Sequence, residues 1–328
     1  MDRERAILPV LDSNHKGLLS LFLKPRTLDT ENWQHHWSAT LGKSYLQVIQ
    51  EFIAAGLLAR PTIEECLIGG LRVADIKPIL RAHGLKVSGK KEILVKRLVD
   101  QRPDEARQLA ATITNIYVCT EAGAAIAQQW KEEVTKQSIE TEMKMQPLIA
   151  NGKFRQAFLV REQLRKTIPQ PMQAYYGGGM ITVGGEQPSS WDDYDEVGFR
   201  AIYDIDPQTI PTMTVEKVET AKFNVLMSWM CPWSKNRYRI HKEFKRIAET
   251  KSAIAQGQLT LEKWRKEGDV IAVEISGTTD ACSNCKRLLN RAYDLNHVPI
   301  IPNPDCANPK CCRCCYIPIT RTRAELRI

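Results

Sequence analysis

The chain has 328 residues, with 46 Lys and Arg against 38 Asp and Glu and a net charge of +8. Apolar residues make up 43% and charged residues 26%, a globular composition that excludes a wholly disordered or fibrous protein. The length accommodates about two or three domains, and no apolar run approaches the ~18 residues of a membrane-spanning helix. The first residues lack the apolar stretch of a secretory signal. We therefore expect a cytoplasmic protein, at the nucleoid of a bacterium or in the nucleus of a eukaryote.

The N-terminal part is predicted to be mainly helical. Apolar residues recur at helical spacing from Tyr45 to Ile53, and Gly56 is expected to end that helix. The apolar residues 116–119 predict a short strand, and Thr120 is a suitable N-cap for a long helix after it. A helix, a helical insert, a strand and another helix predict a winged-helix-like arrangement.

The rest of the chain divides by composition into further segments. Closely spaced Gly and Pro after Pro169 predict a linker or a long loop, which ends in an acidic run. Helical patterning returns from Met213 to about Trp264, and residues 270–275 predict a strand. The predicted organisation is mainly α and multi-domain, with these segments: an N-terminal helical region (1–64), a basic two-helix module (65–101), a helical region (102–168), the Gly/Pro-rich linker or loop (169–199), a basic helical region (200–265) and a Cys-rich segment (266–328).

The most specific pattern in the chain is a pair of short amphipathic helices. The first helix carries an apolar stripe of Ile76, Ile79 and Leu80, and the second carries one of Ile93, Leu94 and Leu98. Each stripe lacks another partner nearby, so the helices are expected to bury them against each other as a hairpin.

The ends of these two helices are also predicted. Gly84 is expected to end the first helix, and Ser88 or Gly89 is expected to cap the second. Pro78 has no N–H and crowds the preceding turn, so it is tolerated only near a helix start. That constraint places the start of the first helix near Ala74.

Positive charge is concentrated in this module. Residues 71–100 carry eight Lys and Arg against three acids, a net charge of +5, and the rest of the chain carries only +3. Lys90 and Lys91 stand where the second helix begins, and the free N–H groups of a helix start also attract phosphate. The pattern therefore predicts contact with a polyanion. The alternative is a basic hairpin with a structural or protein-contact role.

Residues 65–101 resemble the SAP domain, a small helix–extended loop–helix module that binds DNA. The resemblance rests on these residues: Leu71, Val73, Ile76, Leu80, Gly84, Leu85, Ser88, Gly89, Lys90, Lys91, Leu94 and Leu98. It implies binding of double-stranded DNA, often AT-rich, through the second helix and the loop before it. The contact residues that it implies are Arg81, Lys86, Ser88, Gly89, Lys90, Lys91 and Arg97.

Seven of the ten cysteines lie between Cys282 and Cys315. Such crowding in a long chain favours a metal site in a reducing compartment over disulfides. Cys-x2-Cys pairs about 25 residues apart can meet at one tetrahedral Zn²⁺ in a zinc-ribbon-like segment. The candidate ligands are Cys282, Cys285, Cys306, Cys311 and Cys314, with Cys306 and Cys311 as alternatives for one position. An iron–sulfur cluster, redox thiols and unliganded cysteines are the other interpretations.

A second basic stretch lies before the Cys-rich segment. Between Lys235 and Arg246, six Lys and Arg accompany one Glu, interleaved with aromatic residues on a helix predicted over residues 229–247. Interleaved cations and aromatic rings suit nucleic acid, through phosphate pairing and base stacking. The alternative is an amphipathic helix with a buried aromatic face and a solvated basic face.

These patterns together predict a DNA-binding accessory protein with a structural zinc, and no membrane contact. No nucleotide-binding or hydrolase motif is present, so an enzyme is less favoured. One alternative is a nuclease or another nucleic-acid-processing enzyme that the SAP module brings to DNA. Another is a phage structural or assembly protein, because the Cys-rich segment resembles C-terminal segments of phage- and mobile-element-associated proteins.

Overall fold

The computed structural model describes residues 11–28, 31–169, 172, 192–234, 237–278, 281–303, 306 and 314–322. Contacts between Cα atoms divide the chain into two compact units. The first unit comprises residues 1–140 and 163–174, and the second comprises residues 141–162 and 175–328. Each unit has its own hydrophobic core.

The first unit starts with three helices and a three-stranded antiparallel sheet. The elements are α1 (Ser13–Ser20), β1 (Arg26–Thr27), α2 (Glu31–Leu41), α3 (Tyr45–Ala54), β2 (Leu58–Ala59) and β3 (Ile116–Cys119). The sheet order is β1-β3-β2, and the aromatic side chains of Phe22, Trp37 and Phe52 are fully buried in the core. The predicted strand over residues 116–119 is confirmed, and the winged-helix-like arrangement stays a prediction.

Four helices are inserted between β2 and β3. They are α4 (Ile63–Gly70), α5 (Val73–Ala82), α6 (Lys91–Gln101) and α7 (Pro103–Thr112). The insertion packs closely on the sheet at Gly69, where a Cβ atom would lie 2.6 Å from Ile116 Cδ1 and 2.9 Å from Pro25 Cβ. Only glycine allows this close approach, so the inserted helices are attached to the sheet by packing as well as by the chain.

A long helix, α8 (Glu121–Ala150), follows β3, and α9 (Phe154–Arg165) follows α8. The predicted N-cap is confirmed, since the Gly123 N–H donates to Thr120 Oγ1 at 3.1 Å. Helix α8 extends past the predicted end near Lys144. Its residues 121–140 belong to the first unit and its residues 141–150 to the second.

The second unit contains the helices α10 (Asp193–Tyr203), α11 (Val215–Met230) and α12 (Lys242–Glu267). Residues 193–199, which were expected within the linker or long loop, belong to α10. The acidic run explains this start, because the Asp192 side chain accepts from the Asp195 N–H at 2.9 Å and further acids occupy the first turn. Residues 173–191 of the predicted linker lie outside the described residues.

The continuous helix predicted over residues 229–247 is wrong. Helix α11 ends at Met230, a 3-10 turn covers Pro232–Ser234, and α12 begins at Lys242. Pro232 explains the break, because proline has no N–H to donate and its ring clashes with the carbonyl four residues earlier.

The second unit ends in a small antiparallel sheet. Its strands are β4 (Val270–Ser276), β5 (Ala292–Tyr293) and β6 (Cys315–Thr320), in the order β5-β4-β6. The strand predicted over residues 270–275 is therefore confirmed. A four-residue helix, α13 (Ser283–Lys286), lies between β4 and β5. Both described sheets are small, so the prediction of a mainly helical protein is confirmed.

Two general expectations can be compared with the described part of the chain. No helix there combines the length and the apolar surface that crossing a bilayer requires. No disulfide joins the cysteines that the structure describes.

Candidate nucleic-acid interface and cysteine cluster

The two predicted amphipathic helices pack as a hairpin. Ile76 and Leu80 of α5 and Leu94 and Leu98 of α6 are fully buried in one cluster, as the sequence predicted, and Ile79 is partly buried against it. The predicted burial of Ile93 is wrong, because this side chain lies over Gly89 of the bend and is 50% exposed. The flanking helices complete this small core, because Leu67 of α4 and Ala106 of α7 are fully buried in the same cluster. The hairpin therefore has a core of its own within the inserted helices.

Helix α5 ends in the way predicted at Gly84. This residue has φ +67°, in the left-handed region, and the Leu85 N–H donates to the Leu80 carbonyl at 2.8 Å. The start of α5 at Val73 lies one residue before the predicted Ala74, which places Pro78 in the second turn. The proline leaves the Ala74 carbonyl without its helical donor, and Ala74 is exposed to water.

The bend between α5 and α6, residues 83–90, is held by an arginine. Arg97 extends from α6, and its Nη1 donates to the Lys86 carbonyl and, at 3.3 Å, to the Ser88 carbonyl. Its side chain is half-buried. The resemblance to the SAP domain implied that Arg97 contacts DNA. In the structure, Arg97 orders the backbone of the bend.

The start of α6 differs from the prediction. Neither Ser88 nor Gly89 is its N-cap; that position belongs to Lys90, which makes no side-chain capping hydrogen bond. Lysine carries only donors, so it cannot accept from the N–H groups of the first turn. Gly89 has φ +131°, a conformation that L side chains rarely adopt, and this turns the chain into the helix.

The cations of the bend are available to a ligand. Lys86, Lys90 and the nearby Arg81 are exposed, and Lys91 is half-exposed. Among the described residues, no carboxylate oxygen lies within 4.0 Å of the charged nitrogens of these four side chains. Ser88 and Gly89 are exposed beside them. The structure therefore brings six of the seven predicted residues, including Arg97, into one short segment, with Arg81 on the last turn of α5.

The acids near the bend form close ion pairs with residues other than its exposed lysines, and Glu92 lies exposed in the first turn of α6. Asp75 lies beside Arg72 at 3.4 Å, Asp100 lies beside Lys96 at 3.4 Å, and Glu105 pairs with His83. The hydrogen bond from the Arg72 backbone N–H, with the Arg72 side chain, lowers the pKa of Asp75. Lys91 also attracts the Asp75 carboxylate and adds to the lowering of its pKa, but neither residue forms a close ion pair with the other.

The structure brings three of the predicted metal ligands together. The sulfur atoms of Cys282, Cys285 and Cys306 all lie within 4.8 Å of one another, and the Cys282 and Cys306 sulfurs are 3.8 Å apart. A tetrahedral Zn²⁺ with Zn–S bonds of about 2.3 Å requires sulfurs about 3.8 Å apart, so the spacing fits this ion. Soft thiolate ligands also fit an iron–sulfur cluster.

The local chain explains how the cluster forms. Cys282 is the N-cap of α13, and the Cys285 N–H lies 3.5 Å from its sulfur, which places both sulfurs on one turn. Cys314 is outside the three-sulfur group but lies beside the same loop, since a Cβ on Gly277 would be 3.4 Å from its sulfur. Cys311 lies outside the described residues.

The second basic stretch separates its aromatic residues from its cations. Tyr238 and Phe244 are buried in the core of the second unit, whereas Arg239 and Arg246 are exposed. Lys235 lies outside the described residues. The buried rings are not free to stack on bases, so this stretch offers only its exposed cations.

One residue of that region escaped the sequence analysis. Glu142 on α8 is almost fully buried and accepts hydrogen bonds from Tyr238 Oη at 2.7 Å, from Ser234 Oγ and from Arg237 Nη1 at 3.2 Å. Burial, with the hydrogen bond to Glu142, raises the pKa of Tyr238. A single Glu in a polar helix gives no sequence signal of such burial.

Comparison with known proteins identifies one domain. The family model of the SAP domain matches residues 67–102, from the second half of α4 to the end of α6. No curated protein and no solved structure matches the chain significantly. The match supports the predicted SAP domain and an association with nucleic acid. The resemblance of the Cys-rich segment to phage- and mobile-element-associated proteins receives no support.

Proposed function

We propose that this protein is a DNA-binding accessory protein that contacts the phosphates of duplex DNA through the bend of its SAP domain. The observation that carries the proposal is a group of four cations, Arg81, Lys86, Lys90 and Lys91, around a helix start without a side-chain cap, none of them within 4.0 Å of a carboxylate oxygen of the described residues. Phosphate oxygens accept from free N–H groups and attract ammonium and guanidinium groups, so the bend offers both kinds of contact.

The rigidity of the bend favours binding. Arg97 holds the carbonyls of Lys86 and Ser88, and Gly89 adopts a backbone conformation suited to glycine, so the bend is shaped before DNA arrives. Preorganisation lowers the entropy cost of association. With about four phosphate contacts, we expect weak binding that depends steeply on salt, with a slope of log K against log salt near −3 to −4.

The first prediction concerns Lys90→Glu with Lys91→Glu in the full-length protein. Removing two phosphate contacts and adding two negative charges should weaken binding to a duplex by about 10-fold or more and reduce the salt slope by about 2. Titration of a labelled duplex at several salt concentrations measures both quantities.

A matched control is available on α8 of the same unit. Lys131 and Lys136 are exposed there, so Lys131→Glu with Lys136→Glu makes the same change in net charge away from the bend. Equal losses of affinity in the two double variants would show that net charge alone governs binding, and the proposed role of the bend would be rejected.

We also propose that the cysteine cluster holds one structural Zn²⁺ with Cys282, Cys285, Cys306 and Cys314 as ligands. The sulfurs of Cys282 and Cys306 have the tetrahedral spacing, that of Cys285 lies within 4.8 Å of both, and the Cys314 sulfur lies beside Gly277 in the loop that leads to Cys282. When bound, the ion would join the loop before α13 to the start of β6. Four thiolates would leave no open position for catalysis.

The second prediction concerns metal content. Elemental analysis of the full-length protein, purified without oxygen, should find about one zinc per chain, and Cys282→Ser should lose it. Cys314→Ser should also lose the tetrahedral Co²⁺ absorption of the cobalt-substituted protein, whereas the exposed Cys315→Ser should retain it. Iron in place of zinc, or normal metal in Cys314→Ser, would refute the assignment of metal or ligand.

A further inference from the structure

Helices α2 and α3 of the first unit form a helix–turn–helix. Only residues 42–44 join them, and Gly42 makes the turn with φ +67°. The Tyr45 N–H at the start of α3 donates to Ser38 Oγ of α2 at 2.9 Å, which fixes the junction. A connection of three or four residues containing glycine is typical of the helix–turn–helix motif.

The inner face of α3 is fully used in packing. Val48, Ile49 and Phe52 are almost completely buried against Trp37 of α2 and Leu19 of α1 in the core of the first unit. The helix therefore presents its other face outward in a fixed orientation.

The outer face of α3 carries Leu46, Gln47 and Gln50. Leu46 is 49% exposed, both glutamines are exposed beside it, and Gln47 Nε2 donates to Glu51 Oε1 at 3.5 Å. The nearest charges pair with each other, since Lys43 Nζ lies 2.6 Å from Glu51 Oε2. The face therefore offers amide and apolar contacts and almost no net charge.

This chemistry suits base edges better than phosphates. A glutamine amide can form two hydrogen bonds with adenine in the major groove, and an apolar side chain can contact the thymine methyl group. In helix–turn–helix proteins, residues near the start of the second helix make these contacts. Leu46 and Gln47 stand in that position on α3.

The SAP domain supplies the attraction to phosphate that α3 lacks. Strand β2 leads from α3 directly into the inserted helices, and α4 is packed on the sheet at Gly69. The Arg60 side chain adds a further tie, since it donates to the Thr114 carbonyl and lies over the Tyr117 ring. The bend and the outer face of α3 thus belong to one packed unit, in which one surface attracts the backbone and the other offers groups for reading bases.

We infer that the outer face of α3 reads base edges in the major groove of the duplex that the SAP domain holds, with a preference for A·T pairs. This inference rests on the proposed function. The SAP cations alone would bind duplexes of any sequence, and the outer face of α3 would add a preference for particular sequences.

The third prediction tests this with the full-length protein and a sequence selected from random duplexes. Gln47→Ala with Gln50→Ala should reduce the preference for the selected over a scrambled duplex by at least about 10-fold. The salt slope should not change, because no charge is lost. Gln128→Ala with Gln129→Ala, at exposed positions of α8 in the same unit, is the matched control and should keep the preference.

The outcomes separate this inference from the proposed function. Suppose that Lys90→Glu with Lys91→Glu weakens duplex binding, but that no sequence is enriched or the α3 variant has no effect. This result overturns the inference and leaves the proposed function intact. Loss of self-association on Leu46→Glu would show that a second copy of the chain covers α3, which also overturns it. If the full-length protein binds no duplex at all, both fail.

Discussion

The cations in and beside the bend have different tasks. Lys90 is exposed and Lys91 is half-exposed, whereas the half-buried Arg97 uses its guanidinium to hold the carbonyls of Lys86 and Ser88. A planar guanidinium can reach two carbonyls at once in a way that an ammonium cannot reproduce. Arg97 is therefore a positioning residue for the bend.

The fourth prediction separates position from charge at Arg97. Arg97→Lys keeps the charge but loses the guanidinium geometry, so we expect a several-fold loss of duplex affinity, close to that of Arg97→Ala. Amide hydrogen exchange over residues 84–91 should accelerate in both variants. Lys96→Arg, at the exposed neighbouring position, is the control and should bind normally. Normal binding by Arg97→Lys, with unchanged exchange, would instead make Arg97 a direct phosphate contact.

Glu142 shows the opposite situation, a residue whose importance only the tertiary structure reveals. Its carboxylate is buried, and three donors from residues 234–238 surround it. A buried carboxylate is retained where several hydrogen bonds compensate for its loss of hydration. Those donors come from a segment more than 90 residues further along the chain, so no local pattern could predict the contact.

Elements defined by local signals were predictable from the sequence. Gly84 ends α5, Thr120 caps α8 and Gly56 follows α3, and each signal acts within a few residues. The buried stripes of α5 and α6 follow from helical periodicity in the same way. The helices of the SAP hairpin and most of their buried side chains could therefore be predicted, whereas Ile93 was expected to be buried and is exposed.

Elements that depend on competition between signals were harder to predict. Ser88 and Gly89 have better capping properties than Lys90, but α6 starts after Lys90, where Arg97 and the left-handed Gly89 direct the bend. Basic and aromatic periodicity suggested one helix over residues 229–247, and the break at Pro232 overrides it. In both cases a nearby residue that the pattern did not favour set the helix boundary: Lys90 at the start of α6 and Pro232 after the end of α11.

The candidate sites follow the same division. The close pair Cys282 and Cys285 was recognisable because its two thiols lie on one turn. The approach of Cys306, about 20 residues later, depends on how the intervening loops fold, and the sequence left Cys306 and Cys311 as alternatives. The outer face of α3 had no signature, because its amides and leucine resemble any exposed helix surface until the neighbouring elements are known.

At the scale of the whole molecule, positive charge is exposed on both units. The first unit carries it at the bend of the SAP domain, and the second carries it at Arg239, Lys242 and Arg246. Among the described residues, no carboxylate oxygen lies within 4.0 Å of the charged nitrogens of these three side chains. A second group of phosphate contacts would raise the affinity of an otherwise weak module through effective concentration.

The fifth prediction is that Arg239→Glu with Arg246→Glu reduces the salt slope of duplex binding by about 2, as expected for the loss of two phosphate contacts. Combined with Lys90→Glu and Lys91→Glu, it should reduce the slope by about 4, because distant sites contribute additively. Lys153→Glu with Lys217→Glu, at exposed positions of the second unit, is the matched control and should leave the slope nearly unchanged. A slope that responds only to the SAP variants would confine DNA contact to the first unit. The cations of the second unit would then be a solvated surface, and the buried rings of Tyr238 and Phe244 would serve packing alone.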